Sequence, residues 1–448
     1  MAFPKDFVWG VAASSYQIEG ALAEDGRKPS VWDMFCARPG AIWMGHNAAV
    51  ACDHWHRHKE DVALMKQLGM KAYRLSIAWP RVIPDGTGAV NAKALDFYSR
   101  LVDDLLAAGI EPWVTLFHWD FPYDLYCRGG WLNRDVAEWF AEYSAVVARR
   151  LGDRVTKWMT INEPECVSVL GHQIGIQAPG DKLAPNEVVR VMHHLLLSHG
   201  RSVQAVRANA KSKPSVGLVF AARIFMPATE SAADIEAART LAIPGKAEDL
   251  WANGWWMDPV LLGKYPESFV KHIAPPIEPG DMEIISQKTD FMGMNLYNGA
   301  YIRATANGPE EVPPPEGVAL TSIHWPFTPE AYRWATRFAF ERYKLPIYIT
   351  EGGMGGLDCV SPDGQVRDPQ RIAYLHRYFL ELEKVIAEGV DVRGHFIWSI
   401  MDNFEWGEGY KHRCGIVFVD YQTQQRIPKD SAWWYKRISE TNGRSLHE

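Results

Sequence analysis

Two glutamates, Glu163 and Glu351, each stand at the end of a short run of apolar and β-branched residues. The first run covers residues 157–161. The proline that follows Glu163 cannot donate to a β ladder, so this carboxylate is expected where a strand passes into a loop. The second run covers residues 347–351, and two glycines follow it. Acetal hydrolysis needs one carboxyl as a proton donor and another as a nucleophile or base, so the pair predicts a carboxylate-pair hydrolase.

Eight apolar runs, including the two that carry the glutamates, alternate with helical patterns along the chain. Most of them are apolar almost without interruption, which is typical of parallel strands buried on both faces. Eight strand–helix units predict an α/β protein, namely a single-domain (β/α)8 TIM barrel over residues 1–448. The predicted strands are residues 7–12, 72–76, 112–117, 157–161, 216–220, 291–295, 347–351 and 395–399.

Three of the intervening segments have the apolar spacing of amphipathic helices. In residues 133–151 the apolar positions fall on one helical face, with Asn133 expected as the N-cap and Gly152 as the stop. Residues 91–109 repeat this design, and residues 61–69 predict a shorter helix.

Two long segments, residues 303–330 and 352–368, are rich in proline and glycine and are predicted to lack regular structure. In a TIM barrel the long loops follow the strands and wall the active site at one end. Both segments follow predicted strands, and no domain boundary is expected.

The same end of the barrel should collect the polar and aromatic residues that terminate the strands. The predicted fifth strand has no comparable polar or aromatic residue at its end. The residues at the other strand ends supply candidates for a proton donor, a nucleophile and hydrogen bonds to hydroxyl groups. They are Gln17, Arg74, His118, Trp119, Asp120, Asn162, Glu163, Asn295, Tyr297, Glu351 and Trp398.

Composition excludes several classes of function. A net charge of −7 without a basic block argues against nucleic acid as a partner, and no stretch is long enough to span a membrane. The charges at Lys5 and Asp6 are unlike a signal peptide. The six cysteines form no CxxC motif and are expected to be reduced, which predicts a cytoplasmic protein.

Nineteen tryptophans suit either a core or a sugar cleft, because sugars stack their apolar faces on aromatic rings.

Taken together, the motifs resemble those of glycoside hydrolase family 1, the retaining β-glucosidase and β-galactosidase family. The resemblance covers nearly the whole chain, and the order of its motifs makes it specific. The motifs are residues 7–17 (FVWGVAASSYQ), 74–81 (RLSIAWPR), 118–120 (HWD), 160–164 (TINEP), 193–200 (HHLLLSHG), 349–352 (ITEG) and 398–406 (WSIMDNFEW).

The resemblance implies that Glu163 is the general acid/base and Glu351 the nucleophile, with Arg74, Asn295 and Tyr297 orienting and charge-balancing Glu351. An arginine and a tyrosine hydroxyl would favour the Glu351 anion, and burial beside that anion would raise the pKa of Glu163. The resemblance further implies contacts with the terminal sugar from Gln17, His118, Trp119, Asn162, Tyr297, Trp398, Glu405 and Trp406.

The implied activity is that of a β-glucosidase with some β-galactosidase or β-fucosidase activity, acting on small β-glucosides and cello-oligosaccharides. Two carboxylates suffice for this chemistry, so neither a cofactor nor a metal is expected. Trp325, on the long loop, either forms the leaving-group subsite or packs the loop down. Many relatives are oligomers, but no self-complementary surface can be read from this sequence.

Three positions depart from the family pattern. The usual TENG motif is Thr350-Glu351-Gly352-Gly353 here, which puts the rigidity of that loop in doubt. Cys414 replaces an aromatic residue and should widen the pocket near the 6-position of the sugar. Gln177 stands where histidine is common, with little expected effect on the chemistry.

Histidines and cysteines offer competing sites. His54 and His58 lie at metal-ligand spacing on a predicted helix, but with His56 they more readily form a solvated helix face. Cys166 and Cys414 lack an evident catalytic histidine and are read as cleft-wall or packing thiols.

Two other functions compete with this interpretation. A 6-phospho-β-glycosidase would need cations near the last strand, where Glu405, His412 and Cys414 stand instead. A catalytically inactive sugar-binding protein would be favoured by the loss of either glutamate, and both are present.

Overall fold

The computed structural model describes residues 3–448; Met1 and Ala2, with which the predicted domain begins, lie outside the described residues. Eight parallel strands close into a barrel in which each strand pairs with its neighbours in chain order and the last pairs with the first. The predicted (β/α)8 TIM barrel is therefore confirmed. The strands are β1 Val8–Ala12, β2 Ala72–Ser76, β3 Glu111–Phe117, β4 Lys157–Asn162, β5 Ser215–Ala221, β6 Phe291–Asn295, β7 Ile347–Gly352 and β8 Val392–Trp398.

All eight predicted strands coincide with barrel strands to within a few residues. The largest difference is in β8, which begins three residues earlier than predicted and ends one residue earlier. The prediction missed this start because the exposed Arg393 interrupts the apolar run, although Val392 and Gly394 already pair with β7.

The inside of the barrel is filled with aromatic side chains. Trp113 packs edge-on against Phe291 and Tyr348, with ring centroids 5.7 and 4.8 Å away, and lies 5.0 Å from the ring of Phe396. Gly217 makes room for this packing, because a Cβ atom there would lie 2.4 Å from the Phe291 ring. The barrel is thus a packed core that closes the site from below.

Helices surround the barrel and pack their apolar faces on it. The longer helices are His54–Gln67, Ala92–Ala107, Val136–Leu151, Pro185–Asn209, Ala232–Ala242, Asn253–Leu262, Glu330–Tyr343, Pro369–Ala387 and Asp430–Glu440. The shorter helices are Ser15–Ile18, Val31–Cys36, Trp79–Val82, Tyr123–Cys127, Glu267–His272 and Asp281–Ile285. A π-helix covers Cys166–Ile174, and 3₁₀ turns cover Trp43–Gly45, Gly130–Leu132, Trp406–Glu408 and Arg444–His447.

Helix starts were predicted less accurately than helix ends. Asn91 caps its helix as expected, accepting a hydrogen bond from the Lys93 amide. Asn133 does not, because its side chain accepts from the Asp135 amide in a turn and the helix begins at Val136. The helix predicted from residue 61 begins at His54, since polar residues buried in its first turns hid the apolar pattern.

The prediction of a solvated histidine face is wrong for His54 and His58, which are both buried. Nδ1 of His54 lies 2.7 Å from Asp61, and Asp61 pairs with Arg426 near the end of the chain. His56 alone is exposed. Within residues 3–448 no group of three histidine, cysteine or acidic side chains has the geometry to hold a metal ion.

The segment 303–330 is not uniformly irregular as predicted. It begins within a β-hairpin, Ala300–Thr305 with Gly308–Val312, to which Phe225–Pro227 adds a third strand. The half-exposed, glutamate- and proline-containing hairpin has no apolar run that would have revealed it. Of the segment 352–368, Gly352 still belongs to β7, and residues 353–368 form an irregular loop as predicted.

A two-stranded sheet, Val417–Val419 with Arg426–Pro428, completes the regular structure of the described residues. No helix in the described part of the chain is long and apolar enough to cross a membrane. All six cysteines are free thiols.

Candidate active site

Glu163 follows β4 directly and has a strained backbone. Its φ of 46° is unusual for a residue with a side chain, and the bond from its amide to the Val219 carbonyl, 2.9 Å long, helps to hold it. Pro164 then ends the strand, and the π-helix follows. This turn directs a carboxyl group that is only 8% exposed into the cavity.

Glu351 lies at the carboxyl end of β7 with donors on both oxygens. Nη1 of Arg74 donates to Oε1 at 2.5 Å, and the Tyr297 hydroxyl donates to Oε2 at 2.8 Å. Arg74 comes from β2 and Tyr297 from the segment after β6, so three strand ends converge on this carboxylate. A charge-assisted pair of this kind fixes the group in one orientation.

Two asparagines link the surroundings of the two glutamates. Asn295 Nδ2 donates to Glu163 Oε1 at 2.8 Å and to Asn162 Oδ1 at 3.1 Å. Asn162 Oδ1 also accepts from Arg74 Nη2 at 2.6 Å, and Arg74 binds Glu351. One hydrogen-bonded network therefore connects both carboxyls.

Burial raises the pKa of both carboxyls, but the nearby charges act on them differently. Burial and the negative charge of Glu351 raise the pKa of Glu163 to about 7. Burial also raises the pKa of Glu351, while the Arg74 guanidinium and the Tyr297 hydroxyl oppose that rise. Glu351 is thus the carboxyl that its neighbours favour as an anion, whereas burial and the charge of Glu351 favour the protonated form of Glu163.

Glu405 supplies a third carboxyl to the cavity wall. Its Oε2 is buried and has no hydrogen-bond partner in the protein. Burial, with a smaller effect of Glu351, raises the pKa of Glu405 to about 7. A buried polar atom without a partner costs free energy, so this oxygen is placed to receive a hydroxyl group of a ligand.

Aromatic rings form the wall opposite the two glutamates. Trp406 packs against Trp119 with ring centroids 4.6 Å apart, and His118 stacks on Trp398 at 5.6 Å. Burial lowers the pKa of His118, so its ring is neutral, and Asn162 donates to its Nε2 at 3.2 Å. This part of the cavity combines flat apolar surfaces with polar edges, as a sugar ring requires.

Gln17 lies behind this wall. It is fully buried; its amide nitrogen donates to Asn403 and to the Phe404 carbonyl, and its oxygen accepts from Ser14. It is not among the described residues that line the cavity. In this structure Gln17 holds in place the segment that carries Glu405.

The cavity has a volume of about 1270 Å³ and extends well beyond the carboxyls. Trp325 lines its outer part, packs against Tyr297 with centroids 5.4 Å apart, and is 39% exposed. Trp325 therefore forms part of the cavity wall and packs against Tyr297, while its role in a leaving-group subsite stays a prediction. Other outer lining residues are Leu170, Ile176, Gln177, Arg223, Phe225, Trp251, Pro313 and Ile323.

Two features of the lining were not expected from the sequence. Residues 221–225, which follow β5, form part of the wall, although nothing comparable was predicted after that strand. The sequence signal available was Arg223, a lone cation directly after a buried strand. Cys166, read as a wall or packing thiol, does line the cavity and also donates to Glu163 Oε2 at 3.2 Å.

The departures at positions 352 and 414 have structural correlates. A Cβ atom on Gly352 would lie 1.8 Å from the Tyr332 hydroxyl, which itself lies 2.9 Å from His395 Nε2. The space that a side chain at 352 would need is therefore taken by Tyr332. Cys414 lines the cavity close to Glu405, and burial, with a smaller effect of the Glu405 charge, raises the pKa of its thiol.

Comparison with known proteins agrees with this geometry. It places the chain in the class of the glycoside hydrolases. A model described as glycosyl hydrolase family 1 matches residues 1–444. The chain belongs to this family.

Among curated relatives, the chain is 44% identical over 446 residues to beta-glucosidase A of Thermotoga maritima, covering 98% of each protein. It is 43% identical to 1,4-beta-D-glucan glucohydrolase of Thermotoga neapolitana, covering 98% of this chain and 99% of that one. Among solved structures, the beta-glucosidase of Thermotoga maritima in complex with glucoimidazole aligns with a TM-score of 0.90, at 42% identity and 99% coverage of both chains.

Proposed function

We propose that this chain is an exo-acting retaining β-glucosidase that hydrolyses terminal, non-reducing β-D-glucosyl residues. The observation that carries the proposal is the unequal pair of buried carboxyls: Glu351 is bound by the Arg74 cation, whereas the hydrogen-bond donors to Glu163 are neutral. The names of these relatives, beta-glucosidase and 1,4-beta-D-glucan glucohydrolase, support the glucoside specificity.

In the first step the Glu351 carboxylate attacks the anomeric carbon. Glu163 gives its proton to the glycosidic oxygen as the bond from that oxygen to the sugar breaks, so the aglycone leaves as a neutral alcohol. The pKa of about 7 for Glu163 is suited to this transfer near neutral pH. The product of the step is a glycosyl ester on Glu351.

In the second step Glu163, now ionised, takes a proton from water. The water oxygen bonds to the anomeric carbon, and the bond to Glu351 breaks with its electron pair returning to the carboxylate. The Arg74 cation and the Tyr297 hydroxyl stabilise that returning charge. Two inversions at one carbon leave the product in the β configuration.

Side chains around the inner cavity are proposed to hold the terminal sugar. Glu405 would accept from hydroxyl groups through its unpartnered oxygen, and Asn162 and His118 would contact others. Trp119, Trp398 and Trp406 would present ring faces or edges, and Gln17 would contribute after exchanging its present amide bonds.

The outer cavity is proposed to accept the aglycone, including the next units of a cello-oligosaccharide, against Trp325. β-Galactosidase and β-fucosidase side activities are proposed as well. A Thermotoga maritima beta-glucosidase structure in complex with galacto-hydroximolactam supports the accommodation of a second sugar configuration in such a site.

We further propose that residues 1–448 form one catalytic domain and that the protein is cytoplasmic. The first proposal is supported by the extent of the family match and by the coverage of both chains in the comparisons. The second is supported by six free thiols, of which Cys127 and Cys359 are exposed.

Proton NMR during hydrolysis of 4-nitrophenyl β-D-glucoside tests the proposal. β-Glucose appearing before mutarotation is the expected result. α-Glucose appearing first would mean inversion, with Glu351 a base. No release would leave the phosphorylated-sugar and inactive-protein alternatives, and the same assay with a 6-phosphoglucoside would separate them.

A further inference from the structure

The carboxyl group of Glu163 receives one hydrogen bond on each oxygen. The Asn295 amide donates to Oε1, and the Cys166 thiol donates to Oε2 at 3.2 Å. The two donors come from opposite sides, one from β6 and one from the π-helix after β4. A thiol is a weak donor, but here it reaches the oxygen that the asparagine leaves open.

The backbone holds the thiol in this position. The Cys166 amide donates to the Glu163 carbonyl at 3.1 Å, closing the turn that the positive φ of Glu163 begins. Cys166 is also the first residue of the π-helix, a form of helix found frequently at functional sites. Its side chain is 6% exposed and lines the cavity.

We propose that Cys166 is a positioning residue for the reaction, whose thiol orients the Glu163 carboxyl and favours its ionised form when that group must accept a proton from water. This role rests on the proposed function, because it presupposes that Glu163 is the acid/base. It extends that function, because it assigns to the Cys166 thiol a part in setting the balance between protonated and ionised Glu163.

The electrostatic surroundings of Glu163 are consistent with this role. Burial, together with the charge of Glu351, raises the pKa of Glu163, while Asn295, Cys166 and Arg74 lower it. Tyr297 and the buried Glu165 are the other titratable groups close enough to interact with Glu163. Burial and Glu163 also raise the pKa of the Cys166 thiol, so the thiol keeps its proton and remains a donor.

The two steps make opposite demands on this balance. Glycosylation requires protonated Glu163, whereas deglycosylation requires the carboxylate. Removing the thiol donor disfavours the carboxylate, so we expect the second step to be slowed and the pH range of the first step to extend upward.

The test compares Cys166→Ala and Cys166→Ser with the wild-type enzyme and with Cys52→Ala. Cys52 is a matched control, because it is a buried thiol that donates to the Asp402 carbonyl and is not among the described cavity-lining residues. The measurements are the pH profile of kcat/KM with 4-nitrophenyl β-D-glucoside and kcat with 2,4-dinitrophenyl β-D-glucoside, with and without azide. If Cys166→Ala fails to fold, Cys166→Val replaces it as a donor-free variant of similar volume.

In Cys166→Ala we expect the alkaline limb of kcat/KM to move up by about 0.5 to 1 pH unit, as the loss of one weak donor to a carboxylate implies. We also expect kcat with the dinitrophenyl substrate to fall several-fold and azide to restore it, because azide needs no base. Cys166→Ser keeps a donor and should stay near the wild type. An unmoved limb in Cys166→Ala, or an equal shift in Cys166→Ser or Cys52→Ala, would overturn the proposal.

If the proposed retaining mechanism itself is wrong, other measurements than those on the Cys166 variants reveal it. If the wild-type enzyme releases α-glucose, Glu163 does not accept a proton from water in a second step, and if Glu163→Gln keeps the alkaline limb, Glu163 is not the acid. Either result overturns the role of Cys166. If both of these controls behave as proposed, the results for the Cys166 variants alone decide whether Cys166 has the proposed role.

Discussion

Arg74 donates to the Glu351 carboxylate at 2.5 Å, and the two side chains are 1% and 5% exposed. An ion pair so deeply buried resists the loss of either partner, because the remaining charge is left without compensation. The pair also joins β2 to β7 across the mouth of the barrel. The position of the proposed nucleophile therefore depends on a cation from a distant part of the chain.

Replacing Arg74 by methionine should lower kcat/KM by about 10²- to 10⁴-fold, because breaking a buried pair costs about 3–5 kcal/mol. The acidic limb of the pH profile should also move upward, since Glu351 loses the cation that favours its anion. Steady-state kinetics over pH measure both effects. Arg57→Met, at a half-exposed pair with Asp53, is the control and should change neither. An unchanged acidic limb in Arg74→Met would contradict the electrostatic role.

Glu351→Ala should abolish turnover, because the covalent step has lost its nucleophile. Added azide should restore turnover by attacking the anomeric carbon from the vacated side, giving the α-glycosyl azide. Product analysis by NMR identifies the anomer. Turnover by this variant without azide would remove Glu351 from the nucleophile role.

The pH profile of kcat/KM should be bell-shaped, with an alkaline limb near pH 7, where Glu163 loses the proton that it must donate. Glu163→Gln should lose this limb. Its activity should fall far less with 2,4-dinitrophenyl β-D-glucoside than with an alkyl glucoside, because the dinitrophenolate leaves without a proton. An alkaline limb that survives unchanged in Glu163→Gln would assign it to another group.

Glu165→Gln should become more stable than the wild type as pH rises. Glu165 is fully buried, accepts from the Ala221 amide and has one oxygen without a partner, and burial raises its pKa to about 8. A carboxyl whose pKa is raised by folding contributes stability below its unfolded value near 4.5, and this is lost as pH rises toward 8. The melting temperature of the variant relative to wild type should therefore increase between pH 5 and 8. A difference that is constant over this range would contradict the prediction.

Restoring the family asparagine at position 352 should destabilise the protein, because the Tyr332 hydroxyl occupies the space for its Cβ atom. We expect a lowered melting temperature and lowered kcat in Gly352→Asn, since Glu351 is the adjacent residue. Adding Tyr332→Phe removes the overlapping oxygen and should recover part of both losses. The interpretation fails if Gly352→Asn is as stable as the wild type.

Much of the fold could be predicted because strands buried on both faces are mostly apolar. The observed bounds of β2 and β6 equal the predicted ones, although β2 contains Arg74. The hairpin Ala300–Thr305 with Gly308–Val312 was missed because it is half-exposed and lacks such a run. The burial of His54 was missed because it depends on a residue distant in sequence. His54 and Arg426 both bind Asp61, and Arg426 lies near the other end of the chain.

The candidate site could be predicted as a set of residues on and after the barrel strands, with Arg74 and Tyr297 beside Glu351, but its other contacts could not. The convergence of Arg74, Tyr297 and Glu351 follows from barrel geometry once the strands are in order. The contact between Cys166 and Glu163 depends on the positive φ of Glu163 and on the π-helix that begins at Cys166. The sequence motifs do not predict either feature. The burial of Gln17 behind the wall likewise depends on a loop conformation.

Within the described residues, the aromatic filling of the barrel closes the site from below the two carboxyls, which leaves entry and exit at the same end of the barrel. Whatever enters must go out by the way it came, in reverse order of entry. In the proposed reaction the aglycone departs before the hydrolytic water takes its place, and the cleaved sugar, which is proposed to lie deepest, leaves last. A polymer cannot be threaded through such a dead end, so each encounter should trim one unit from a chain terminus, and accumulated monosaccharide should compete directly with the next substrate for the innermost position.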